Sequence, residues 1–121
     1  MKIAIKLFMF LFLPLSGNAV DINKSDWVNN MSTALPSVFC SSRQYFRQCY
    51  DVTSQECQST TISVTEICIN NNIRNIPDVI IQPKDSTYWG TIIGQCAGKA
   101  YQLTLVSKRI NSEKCNNSKN W

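Results

Sequence analysis

Histidine is absent from all 121 residues. Its absence removes Ser-His-Asp and Cys-His nucleophilic chemistry, and with them histidine acid–base catalysis and histidine-bound zinc. No C-x-x-C pair occurs, so the usual cysteine spacings for zinc are missing too. Glycine is scarce, four residues in all, and none forms a phosphate-binding loop. A carboxylate pair is the remaining route to catalysis. Asp26, Asp51, Glu56, Glu66, Asp78, Asp85 and Glu113 are scattered, however, and none sits in a catalytic motif. The sequence therefore predicts a non-catalytic protein that needs no cofactor and binds no metal.

What is present at the start sets the context. Lys2 and Lys6 precede an apolar run over 7–15, and Ser16-Gly17-Asn18-Ala19 supplies small residues for cleavage after Ala19. This is the three-part layout of a secretory signal. The run is about half of the ~20 residues that a membrane-spanning helix needs. Residues 1–19 thus read as a cleaved signal peptide, and 20–121 as one exported domain, periplasmic or extracellular.

Beyond the leader, ten basic residues face eight acidic ones, for a net charge of +2. They are spread along the chain, without the dense cluster a phosphate backbone selects, so nucleic acid is not an expected partner.

All six cysteines fall after the leader: Cys40, Cys49, Cys57, Cys68, Cys96 and Cys115. An even count in an exported chain reads as three disulfides. Geometry suggests a pairing. At the helical rise, Cys40 to Cys49 spans about 13.5 Å and Cys57 to Cys68 about 16.5 Å. Two antiparallel helices joined near Asp51–Ser54 would then nest Cys49–Cys57 inside Cys40–Cys68, leaving Cys96–Cys115 to hold the tail. The Cys57–Cys68 interval has the C-x10-C spacing of saposin-like domains, but the close flanking pairs of that family are missing. The cysteine patterns of insect odorant-binding proteins and plant lipid-transfer proteins are missing as well.

The expected fold is all-α, a small disulfide-stapled domain built as a helical hairpin with flanking helices. Ser25 is a candidate cap for a first helix with Trp27, Met31 and Leu35 on one face, broken or kinked at Pro36. A second helix is expected over about 37–50. Thr53-Ser54-Gln55-Glu56 has capping-box form, with Glu56 reaching back, and opens a third helix that ends near Asn70-Asn71-Asn72. Cys57, Thr61, Val64 and Cys68 line one of its faces. Val79-Ile80-Ile81 is expected to clamp onto the core between Pro77 and Pro83. A last helix over about 86–108, capped by Asp85 or Ser86, carries Trp89, Ile92, Ile93, Cys96, Ala100, Leu103 and Leu105 as its buried face.

Two constellations bear on function. Gly90, Gly94 and Gly98 recur every fourth residue on the last helix, where each costs about 1 kcal/mol relative to alanine. They make a groove that serves close packing inside the molecule, a partner, or a membrane. Arg43, Tyr45 and Arg47, beside Phe46 and Tyr50, have the composition favoured at protein interfaces. The competing reading puts Phe46 and Tyr50 in the core with both arginines solvated. The sequence thus points to a small exported protein that acts by binding another protein. The alternative is a membrane-active or lipid-binding protein using the glycine-lined helix.

Overall fold

The computed structural model describes residues 20–121, so the signal-peptide expectation for residues 1–19 lies outside the described residues. The chain runs through β1 (Ile22–Asn23), α1 (Lys24–Phe39), α2 (Tyr45–Gln48), α3 (Ser54–Asn72), β2 (Val79–Ile80) and α4 (Lys84–Thr104). A 3-10 turn (Val106–Lys108), the short α5 (Glu113–Asn116) and a final 3-10 turn (Ser118–Asn120) complete it. The fold is all-α apart from the β1–β2 pair, which is antiparallel with Ile22 opposite Ile80 and Asn23 opposite Val79.

Asn23, not Ser25, caps α1, because β1 ends on it in an extended conformation. Its Oδ1 accepts from the Asp26 backbone N–H at 2.8 Å. Trp27, Met31 and Leu35 form the expected stripe, and Phe39 extends it one turn further, all buried. Pro36 does not break the helix. It lies in the last turn, with its ring buried, and its carbonyl accepts from the Cys40 N–H at 3.0 Å. A proline there removes the hydrogen bond of its own missing N–H and crowds the preceding turn, a local cost that the burial of its ring and its neighbours helps to offset.

The second helix of the expected hairpin does not form. Residues 37–39 belong to α1, and residues 40–44 turn, with the Gln44 N–H bonded to the Ser41 carbonyl at 3.0 Å. The Gln48 side chain also donates to the Ser42 carbonyl at 2.9 Å. Only α2, a single turn, follows. The hairpin is made instead by α1 and α3, and α3 also packs against α4.

This change of partners re-sorts the cysteines. The nested pairing Cys40–Cys68, Cys49–Cys57 and Cys96–Cys115 is replaced by Cys40–Cys57, Cys49–Cys115 and Cys68–Cys96. Cys40 at the end of α1 meets Cys57 in the first turn of α3 because those helices form the antiparallel pair. Cys68 faces Cys96 across α3 and α4. Cys49, in the connector rather than on a hairpin arm, is left to hold the tail. The Cα–Cα distances are 5.8, 5.6 and 5.9 Å, all inside the range a disulfide bridges.

Thr53 caps α3 as expected, accepting from the Glu56 N–H at 3.0 Å. Glu56 does not reach back. Its carboxylate takes Lys108 Nζ at 2.8 and 3.0 Å, tying the start of α3 to the turn after α4. The Val79-Ile80-Ile81 clamp rests on Ile80 alone, fully buried, while its neighbours are exposed. On α4, Pro83 precedes the first turn. Asp85 accepts from the Ile81 N–H at 2.9 Å, and the Ser86 hydroxyl donates to the Pro83 carbonyl.

The buried face of α4 is Ser86, Gly90, Ile93, Gly94, Ala97, Gly98 and Tyr101. Leu103, assigned to the core by its apolar character, is the most exposed large hydrophobic described, at 71%. It lies on the side of the helix away from the glycines, where apolarity does not bring burial.

Candidate functional site

Tyr45 is the centre of an aromatic cluster, not an exposed interface residue. Its ring meets Phe46, Tyr50 and Trp121 edge-on, with centroids 5.2, 5.9 and 5.7 Å away. Phe46 stacks on Phe39 at 4.2 Å and meets Tyr101 edge-on at 5.1 Å. Each such pair adds about 0.5–1.5 kcal/mol beyond its buried area, so the cluster holds α2 firmly against α1 and α4. The Tyr101 hydroxyl donates to the Phe46 carbonyl at 2.8 Å. Burial pushes the Tyr101 phenol up to about 12. Burial, joined by the neighbouring Tyr45 hydroxyl, raises Tyr50 well above the ordinary phenol range.

Arg109 closes the cluster from the tail side. Its guanidinium carbon stands 5.2 Å from the Tyr45 ring centroid and 5.9 Å from that of Tyr50, in cation–π geometry. Nε donates to the Tyr45 hydroxyl at 3.0 Å, Nη1 to the Ile110 carbonyl, and Nη2 to the Cys115 carbonyl at 2.9 Å. Nη2 also donates to Asn116 Oδ1 at 3.5 Å, and all four acceptors are neutral, so the arginine is fixed in place with its charge uncompensated.

Two adjoining hollows border α4, one on its outer side and one on the flank between that side and the glycines. One, of about 340 Å³, is lined by Tyr45, Tyr50, Lys99, Gln102, Leu103, Val106 and Arg109. The other, of about 480 Å³, shares Lys99 and Gln102 with it and continues past Gln95 and Ile92, beside Gly94 and Gly98. Leu103 and Val106 stand over the first, 71% and 68% exposed. Neither hollow is lined by a carboxylate. Among the described residues all six cysteines are in disulfides, and no group of three or more Cys, Asp or Glu side chains is placed to hold a metal ion.

The residues singled out from the sequence are therefore dispersed. Arg43 is exposed in the turn before α2, and Arg47 donates to the Val52 carbonyl at 2.8 Å. Gly90, Gly94 and Gly98 all lie on the buried face. The Phe46 ring reaches Gly98 so closely that a Cβ there would stand 3.1 Å from Cζ. Sequence reasoning missed Lys99, Leu103, Val106 and Arg109 as a group. A signal was available: Ile92, Lys99, Leu103 and Val106 fall at helical spacing on a second stripe, away from the glycines.

A family model described as T2SS substrate NttA matches residues 21–109. The matched stretch takes in the β1–β2 pair, all four helices α1 to α4 and Arg109. No curated protein and no solved structure matches the chain. Three disulfides among residues 40–115 require an oxidising compartment, as export to the periplasm or the medium provides. With most of its length covered by that model and its cysteines fully paired, the chain is an exported protein that belongs to the T2SS substrate NttA family.

Proposed function

We propose that this protein is a non-catalytic binding protein, carried out of the cell by the route its family name gives, that acts by engaging another protein through the outer side of α4. One observation carries the reading. Leu103 and Val106 stand largely exposed beside a hollow with aromatic walls, on a scaffold that three disulfides hold rigid. Exposed apolar side chains gathered over a concavity mark interaction sites more often than isolated ones do.

The membrane reading rested on the glycine-lined face, and the burial of Gly90, Gly94 and Gly98 weighs against it. Among the described residues no helix is long and apolar enough to cross a membrane.

Photo-crosslinking tests the proposal. A benzophenone amino acid at position 103 should give a discrete protein adduct when the secreted protein meets its surroundings in culture. The same group at Ile67, also exposed but on α3, should not. Adducts at neither position, together with co-sedimentation on phosphatidylcholine or phosphatidylglycerol vesicles, would replace protein binding by lipid binding.

A further inference from the structure

Resting on that reading, we infer that the outer side of α4 receives an acidic segment of a partner protein, with an apolar side chain seated between Leu103, Val106 and the Tyr45–Tyr50 wall. The inference comes from charge. Lys99 and Arg109 line the hollow on which Leu103 and Val106 stand, and no carboxylate lines it or its neighbour. Among the described residues the one salt bridge is Lys108–Glu56, and neither of its residues lines either hollow. Arg109 is held by the Tyr45 hydroxyl, two backbone carbonyls and the Asn116 side-chain oxygen, none of which cancels its charge. Lys99 is exposed and projects from the middle of the stripe that joins both hollows.

The two cations have different mechanical characters. Arg109 is locked over two aromatic rings, so it offers a fixed positive field at the edge of the apolar hollow. Lys99 keeps a flexible stem and adjusts to wherever a carboxylate arrives. An acidic segment with one bulky apolar residue satisfies both and buries Leu103 and Val106 at the same time. Two cations are too few for the alternatives. A nucleic-acid backbone or an anionic membrane is held by clusters of several basic residues. Complementary charge of this kind acts mainly on encounter rate and partner choice, while the apolar seat supplies residence time.

Selection of displayed random twelve-residue peptides on the intact, disulfide-bonded protein tests this directly. Enriched peptides should carry Asp or Glu flanking a Leu, Phe or Trp. Their binding should be lost in Leu103→Asp, an exposed position whose variant keeps the helical circular dichroism spectrum. Lys99→Glu should weaken acidic peptides by about five-fold, the size of a surface attraction turned into repulsion. Selection repeated on Lys99→Glu should lose the acidic bias. Peptides that bind at Leu103 but show no acidic bias would overturn the inference and leave the protein-binding reading standing. Peptides insensitive to Leu103→Asp would overturn the site itself. Phosphatidylglycerol vesicles bound by the native protein and released by Leu103→Asp would overturn both in favour of a lipid surface.

Discussion

The Phe46 ring lies over Gly98, with Cζ 3.1 Å from the point a Cβ at that position would occupy. One missing side chain on α4 thereby lets α2 close against it, and the Tyr101–Phe46 hydrogen bond fixes the approach one turn later. The glycine stripe is a packing device at Gly98, where it admits the aromatic cluster that forms a wall of the outer hollow.

Substitution at Gly98 should divide by size. Gly98→Ala gains helix propensity of up to about 1 kcal/mol, which a Phe46 shift of a few tenths of an ångström offsets, so its stability should stay near that of the native protein. Gly98→Leu must displace Phe46 and Phe39, and overpacking of this kind costs about 1–3 kcal/mol, more than the propensity gain. Urea unfolding of both variants measures the difference. A Gly98→Leu protein as stable as the native one would show that α2 is not seated on α4.

Two buried threonines one turn apart on α3 should respond with opposite signs. The Thr61 hydroxyl donates to the Cys57 carbonyl at 2.8 Å, whereas the Thr65 hydroxyl is buried without a partner. Thr61→Val should destabilise by about 0.5–1.5 kcal/mol. Thr65→Val removes an unpaired buried oxygen and should stabilise by about 1 kcal/mol. Equal effects in chemical denaturation would contradict the placement of the two hydroxyls.

Disulfide connectivity can be read by mass spectrometry without reduction. Trypsin cuts after Arg43, Arg47, Arg74, Lys84, Lys99 and Lys114, and a glutamate-specific protease after Glu56 and Glu66, which together put all six cysteines on separate peptides. The linked pairs should be 40 with 57, 49 with 115 and 68 with 96. Linked peptides joining 49 with 57 would restore the nested hairpin and overturn the α1–α3 pairing.

Alkaline pH should destabilise the protein in a defined window. The Tyr101 phenol is raised to about 12 in the fold against about 10 in an unfolded chain, and Tyr50 moves in the same direction. The fold therefore binds these protons more tightly. The stabilisation is complete below pH ~10 and is lost as pH rises through the folded values. The urea midpoint should be level up to about pH 9.5 and fall steeply above it, with a shallower fall in Tyr101→Phe. A midpoint independent of pH in that window would mean the two phenols are not shielded.

Elements that depend on near neighbours were legible in the order of residues alone. The Trp27–Met31–Leu35 stripe, the Thr53 cap, the end of α3 at its asparagine run and the burial of Phe46 and Tyr50 all follow from spacing and local hydrogen bonding. The all-α class was legible too, from caps and helical periodicity, and so was the pairing of every cysteine, from their even count in an exported chain. Tertiary structure alone decided which cysteine meets which, that Glu56 turns to Lys108 instead of its own cap, and that Leu103 faces outward while the glycines face in. Each of these depends on which helices become neighbours. The hairpin arms could not be assigned from spacing once the chain after Cys40 proved to turn. Helical periodicity places residues on a common face but carries no sign to say whether that face meets protein or solvent. On α4 two such faces compete, and the one that buries is the one whose missing side chains let Phe46 approach.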